Sequence, residues 1–578
     1  MHSETKNCQN CKKDFIIEPD DFNFYEKIKV PPPTFCPNCR LIRRLIWRND
    51  RYLSKVNCDL CGNSTLSTFR KDNGYIIYCS NCYRSDDWDP LYYEMNYDFS
   101  ISFFIQFAEL MKRVPIRAIS VNYTTLVNSD YTNLVSNLKN CYLIYNSDYS
   151  ENCIYGSEIE NCKDCIDNTM IDGCDQSYGN INCKKCYKIF FSTDCIESSD
   201  IWFSYDLIGC MNCFGCTGLR NKNYHIFNKP YLKEDYQEKI KELFDGDYNK
   251  IAEMESGVKE IYLKTPQRYV HGKQNINTTG DYIYNSKDVK NSYIVNGAQN
   301  CKYSMWLMIP TAKDCWDYTE YGKNVDQIYE TLTASNNTSN VKFSNIISTN
   351  SINVEYSRSC RDVQNIFGCN GLSKKQYCIL NKQYTKEEYE ILIPKIKKHM
   401  DEIPYIDSKG RVYKYGEFFP TDIAPYAYNQ TNAQEFFPIK KQDAEKLGYH
   451  WQDVADKNYV STVPKGNLPN FINEVRDSII NEIIECIEWG NEKSKIQNCT
   501  KAFRVITSEL AFYRRHNIPL PRKCPNCRHY DRIKKRNSIT LYHRKCMKKG
   551  CENEFESSYA PERPEIVYCE HCYQQEVY

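Results

Sequence analysis

Between Asn137 and Leu219 the cysteines recur at fixed intervals, and this restricts the fold more than any other feature of the chain. Cys141, Cys153, Cys162, Cys174, Cys183 and Cys195 are separated by steps of 12, 9, 12, 9 and 12, so that two successive steps make 21. Cys165 and Cys186 are also 21 apart, as are Cys195 and Cys216. A fixed period near 20 residues without helical patterning points to stacked β-coils, whose strands lie about 4.8 Å apart. The spacing predicts a mainly β chain built on a parallel β-solenoid, a right-handed β-helix with coils of about 21 residues. Asn precedes Cys at Asn140, Asn152, Asn161 and Asn182. Asn tolerates the left-handed backbone of a corner and bonds to its neighbours along a stack. The cysteines between these corners read as small buried hydrophobes. Cys210, Cys213 and Cys216 form the run in this region that most resembles a metal site, but Cys216 also continues the ladder.

A second regularity doubles the solenoid. The segment from Gly215 to Tyr231 returns from Gly368 to Tyr384 at an offset of 153, and Lys139 to Ile144 returns from Lys290 to Val295 two residues out of step. Each copy ends in a charged helix, about Lys233 to Met254 and Lys386 to Met400, which can cover an open sheet edge.

Of the 32 cysteines, sixteen lie at the two ends, and there they come mostly as close pairs. The first set is Cys8, Cys11, Cys36, Cys39, Cys58, Cys61, Cys79 and Cys82. Paired in order these make two closed tetrahedral zinc sites, with interleaved pairing as the alternative. The last block repeats the first at an offset of 488, with Cys524-Pro-Asn-Cys-Arg528 matching Cys36-Pro-Asn-Cys-Arg40. Its ligands are Cys486, Cys499, Cys524 and Cys527 for one site, and Cys546, Cys551, Cys569 and Cys572 for the other. Cys8 falls opposite Ile496, so Cys486 is chosen as the missing ligand, with His516 and His529 as alternatives. About four zinc ions per chain follow. Beside the knuckles stand two rows at helical spacing, Arg40, Arg44 and Arg48, and Arg528, Arg532 and Arg536. Such rows either grip phosphates or form an arginine face paired with the many local carboxylates.

The net charge of +1 argues against a uniformly basic nucleic-acid binder. No apolar run reaches the length of a membrane span, and the start of the chain is polar, so a cytoplasmic protein is expected. Phe99 to Met111 reads as an amphipathic helix, and Asp477 to Trp489 has a helical apolar pattern. The expected organisation is a double zinc module over 1–90, a helical connector over 91–118, solenoid copies over 119–262 and 263–402, an aromatic and Pro-rich connector over 403–485, and a second double zinc module over 486–578.

The pattern Cys-x2-Cys, Phe, Phe-Tyr, Pro-x-Pro, Cys-Pro-x-Cys-Arg at Cys8 to Arg40 resembles the zinc-ribbon (treble-clef-like) domains of uncharacterised bacterial families. The likeness covers Cys8 to Arg44 and, less perfectly, Cys499 to Arg532. It implies a zinc fold at each end and lends no enzymatic activity.

Three functions are compatible with these features. The first is a non-enzymatic zinc-binding scaffold contacting RNA or DNA through the arginine rows, with tyrosines available for stacking. The second is a protein–protein interaction platform on the solenoid face. The third is a β-helix enzyme acting on polysaccharide, which needs aligned carboxylates. Asp148, Asp167, Asp172 and Asp175 form no recurrent cluster in the sequence, and no catalytic constellation or small-molecule cofactor motif is evident.

Overall fold

The computed structural model describes residues 2–323, 325–453 and 460–577. Two long, mainly parallel sheets dominate it, one of 12 strands within 126–230 and one of 15 strands within 272–383. Both are solenoid-like stacks of short coils. The coil, however, is shorter than the cysteine spacing suggests. In the first stack Asp175 pairs with Tyr187, Tyr187 with Ser199, Ser199 with Met211 and Met211 with Asn223. One coil therefore advances by 12 residues, the separation of Asn168 from Asn180 and of Ser192 from Ser204 in the bonds between coils.

The unit beneath this period is a triplet. Cys141, Ile144, Ser147, Ser150 and Cys153 are all buried, while Asn140, Leu143, Asn146, Tyr149 and Asn152, each just before one of them, have φ between 48° and 54°. A left-handed residue at every third position turns the chain, so a coil of 12 residues has four short sides and four inward columns. Steps of 12 and 9 are both multiples of three. They carry cysteine back to its own column or across to another, and their sum of 21 is not a coil. The left-handed conformation costs an L-residue energy that Asn and Asp recover through side-chain bonds. Asn140 Nδ2 donates to Asn152 Oδ1 at 3.1 Å, and Asn152 Nδ2 to Asp164 Oδ1 at 2.8 Å.

Polar residues also occupy an inward column, and each has a partner there. Asn168 Oδ1 accepts from the Asn180 N–H at 2.9 Å, Asn180 Oδ1 from Ser192 at 2.8 Å, Ser192 Oγ from Ser204 at 3.1 Å and Ser204 Oγ from Cys216 at 3.0 Å. Buried polar groups matched in this way add order to the stack rather than cost stability. The second stack follows the same plan with looser coils. Its steps are 12 near both ends but 13 and 14 between them, which explains why the two halves of the sequence drift out of step.

Each stack closes on a small hairpin pinned by a left-handed Asn. The Asn228 side chain bonds to both backbone groups of Thr217 at 2.8 and 2.9 Å, and Asn381 does the same to Asn370 at 2.9 and 2.9 Å. Helices follow. The single helix expected after the first stack is two, Lys233–Leu243 and Tyr248–Lys264, while Lys386–Glu402 follows the second. Tyr236 and Val258 pack with Phe203, Phe214 and Ile226 at the end of the first stack.

The amphipathic helix before the first stack spans Phe103–Arg113 and packs on the second, with Phe103 5.2 Å from Tyr356 and 5.3 Å from Phe367. The connector lies against the terminal module, this helix and the second stack. Phe419 is 4.8 Å from both Trp47 and Phe107, and Tyr415 donates to Glu355 at 3.0 Å. The helix expected over Asp477 to Trp489 is replaced by a 3-10 turn, Asp477–Asn481, and a strand, Ile484–Glu485. Pairing with Phe503 and Val463 satisfies that backbone from neighbouring segments and overrides the local apolar pattern. Among the described residues no helix is long and apolar enough to cross a membrane.

Candidate metal centres

All sixteen terminal cysteines converge into four quartets, Cys8/Cys11/Cys36/Cys39, Cys58/Cys61/Cys79/Cys82, Cys486/Cys499/Cys524/Cys527 and Cys546/Cys551/Cys569/Cys572. Within each, the sulfurs lie within 4.8 Å of one another. The pairing is sequential, and Cys486 completes the third set. The third quartet is built by a short strand, the Cys499 turn and a helix N-terminus; the others use a hairpin and a helix N-terminus. In the first quartet the antiparallel strands Glu4–Asn7 and Asp14–Ile17 hold Cys8 and Cys11 in their connection, and Cys36 caps the helix Pro37–Leu45. The same backbone bond recurs in all four. Cys36 N–H donates to Cys8 Sγ at 3.2 Å, Cys79 to Cys58 at 3.2 Å, Cys524 to Cys486 at 3.2 Å and Cys569 to Cys546 at 3.4 Å.

Four thiolates set at about 2.3 Å around a tetrahedral ion stand about 3.8 Å from one another. Sγ separations of 3.7 Å (Cys11 to Cys36), 4.0 Å (Cys61 to Cys79), 3.8 Å (Cys499 to Cys524) and 3.9 Å (Cys551 to Cys569) match that edge. Within a quartet the thiols are driven apart, one held down and another pushed up, Cys39 by its contacts with Cys36 and Cys8, and Cys82 by burial. Side-chain contacts with Cys36 and Cys39 hold the Cys8 thiol far below its ordinary value. At Cys58 burial opposes ionisation, but the backbone N–H groups of Cys61 and Cys79 prevail and bring the thiol down to about 6. The quartets can therefore hold metal ions, and with all four positions supplied by cysteine they leave no open coordination site. Cys210, Cys213 and Cys216 are not among these groups; all three are buried in the core of the first stack.

The arginine rows lie inside the protein, contrary to a solvent-facing phosphate grip. Arg40 and Arg44 are 1% and 0% exposed. Arg40 Nη2 pairs with Asp317 Oδ2 at 2.8 Å, and Arg44 Nη1 pairs with Asp317 Oδ1 and Glu330 Oε2, each at 3.0 Å. Arg48 pairs with Asp50 at 2.8 Å and with Glu320. At the other end Arg528 pairs with Asp167 at 2.6 Å and Arg532 with Asp167 at 2.9 Å. Arg536 lies 4.4 Å over the Phe436 ring and donates to Met170 Sδ at 3.2 Å. Nearby lysines are also paired, Lys535 with Glu255, Lys545 with Glu554 and Lys548 with Glu576. The reason is distance in sequence. Apart from Asp50, the carboxylates that claim these guanidiniums lie hundreds of residues away, and a row of cations read alone carries no sign of them.

The docking is crossed. The first N-terminal quartet sits on the second stack, through Asp317, and the matching C-terminal quartet sits on the first, through Asp167. Tyr303 donates to Asp21 at 3.2 Å on one side and Tyr155 to Glu509 at 3.0 Å on the other. The second quartets lie at the starts of the stacks. Ile77 and Tyr78 pair in parallel with Ile116 and Arg117, and Val567 and Tyr568 with Gln267 and Arg268. The two ends meet, since Tyr52 and Tyr530 hydroxyls are 3.2 Å apart. Asp167 and Asp317 escaped sequence reasoning as docking residues, although the recurring Cys-x-Asp-x-Thr at Cys165 and Cys315 was there to mark them.

No protein-family model matches the chain, and no curated protein matches it. Five chains of solved structures match. One, named as a "putative acetyltransferase" from Desulfovibrio desulfuricans G20, is 10% identical over 53% of this chain and 79% of its own, with a TM-score of 0.10. That overlap is too slight to bear on fold or activity.

Proposed function

We propose that this chain is a non-enzymatic binding scaffold whose four cysteine quartets are structural zinc centres in treble-clef-like modules. The crossed docking carries the reading: each end of the chain grips the stack nearer the other end through a buried arginine pair on one aspartate. The matched clamps, closing hairpins and capping quartets support descent of both halves from one duplicated unit. Closed sulfur coordination supports a structural rather than a catalytic metal. Borderline-soft, tetrahedral thiolate sites favour zinc.

With both arginine rows consumed internally, the outside of the coils, with its Asn ladders, serves as a protein-docking platform. Binding to generic RNA and single-stranded DNA, followed from low to moderate salt, tests this. A protein platform retains a protein partner in cross-linking and shows no salt-dependent nucleic-acid affinity through the rows. Elemental analysis finding far fewer than about four zinc ions per chain would remove the structural part of the reading.

A further inference from the structure

Three guanidiniums at the junction of the two stacks have no acidic partner. Arg117, in the short strand Ile116–Arg117 that precedes the first stack, donates from Nε to Ser80 Oγ at 3.3 Å and from Nη2 to the Val121 carbonyl at 2.5 Å. Arg84 Nη2 donates to that same carbonyl at 3.3 Å, which holds the two cations side by side. Arg361, from the far end of the second stack, donates to Ser373 Oγ at 3.1 Å and lies within electrostatic reach of Arg117, with Tyr83 close to both. Among the described residues none of the three has a carboxylate in ion-pair reach. In the arginine row beside the first quartet, by contrast, such cations are paired with carboxylates, as Arg40, Arg43 and Arg44 show.

The other end of the molecule provides an internal control. There Gln267 and Arg268 pair with Val567 and Tyr568 just before the second stack, as Ile116 and Arg117 pair with Ile77 and Tyr78 just before the first. In that junction Arg268 Nε meets Glu570 Oε2 at 2.5 Å. The position of Glu570, just after Cys569, is taken at the first junction by Ser80, just after Cys79. One junction carries its own carboxylate. The other replaces it with a neutral hydroxyl and adds two more cations.

We propose that Arg84, Arg117 and Arg361, with Ser80, form a binding site for a phosphate oxyanion. Guanidinium forks match tetrahedral oxyanions bidentately, and the Ser80 hydroxyl supplies a further donor. Tyr123, exposed beside the cluster, gives an aromatic face next to the bound group. Free phosphate and the backbone of a single strand offer the same chemistry. The site is independent of the scaffold reading.

Full-length, metal-loaded protein is titrated with inorganic phosphate by calorimetry and with a short fluorescent oligouridylate by anisotropy, at about 50 and about 200 mM salt. Binding of at least one probe is expected, with Arg361→Gln and Arg117→Gln each weakening it about tenfold or more. Arg268→Gln should leave it unchanged, and metal content should stay constant throughout. Phosphate binding alone identifies a small anion, whereas oligonucleotide binding with a salt slope that falls by about 0.7 per lost contact identifies a strand backbone. The proposal is overturned if the wild-type chain binds neither probe, if both variants bind as tightly as wild type, or if the variants lose metal while no probe binds, since the arginines would then serve only to neutralise the adjacent cysteine quartet.

Discussion

Asp167 and Asp317 are each asked to satisfy two buried guanidiniums. Burying such charges costs several kcal/mol per ion, and removing one partner leaves the others uncompensated. Asp317→Ala should therefore destabilise the chain by about 3–5 kcal/mol in urea unfolding, and Asp167→Ala by a similar amount because its surroundings match. A change within experimental error in either variant would mean that the clamps are ornamental. His271 gives a pH signature at the same scale. Its ring lies 3.0 Å from Asp281 and 3.9 Å from Asp194, in the first stack. Burial opposes its charge, but Asp281 and Asp194 prevail and raise it to about 9. Its folded value lies above the unfolded one, near 6.5. The stability it contributes is complete below about pH 6.5 and is lost as pH rises through about 9. Wild type should lose more stability than His271→Gln between those limits, and parallel pH profiles would refute the assignment.

Within a coil stack the element that matters is the triplet of inward residue, free residue and left-handed residue. It explains why so many bulky residues tolerate a positive φ here. Tyr155, Ile294 and Trp306 adopt values of 57°, 57° and 60° because the ladder bonds of neighbouring coils fix every corner. It also separates the two roles of cysteine. Cys183 is fully buried in an inward column, so Cys183→Ala should cost about 1 kcal/mol of packing and leave the metal count unchanged. Cys36→Ser should remove one ion per chain. Equal metal loss from both variants would contradict this separation. The cysteine spacing exposed the stack but not its true period, because thiols fill only some positions of the four columns. The aliphatic and Ser/Asn positions that complete the triplet look unremarkable along the chain. Ile171, Asn180 and Ser192 share no chemistry that a scan for repeats would notice, yet all three point inward.

At the scale of the whole molecule the ends of the chain hold the middle together. Each stack has its first coil beside a second quartet, its face under a first quartet from the opposite end, and its last coil under helices. Metal removal should therefore be felt beyond the terminal modules. Chelation is expected to loosen the connector around Phe418 and Phe419, which is packed against Trp47, and to speed hydrogen exchange along the strand faces that Asp167 and Asp317 flank. Exchange confined to the quartets themselves would show that the clamps hold without metal. The sequence by itself determined what is local and periodic: two stacked-coil regions, four sets of thiols at ligand spacing and the Asn corners, since these follow from covalent spacing and side-chain chemistry. Only the tertiary structure decided which way the arginines face and that the ends cross over. Those outcomes depend on charges and surfaces brought together from distant parts of 578 residues, where desolvation makes buried guanidiniums such as Arg40, Arg44, Arg528 and Arg532 take carboxylates near in space rather than in sequence.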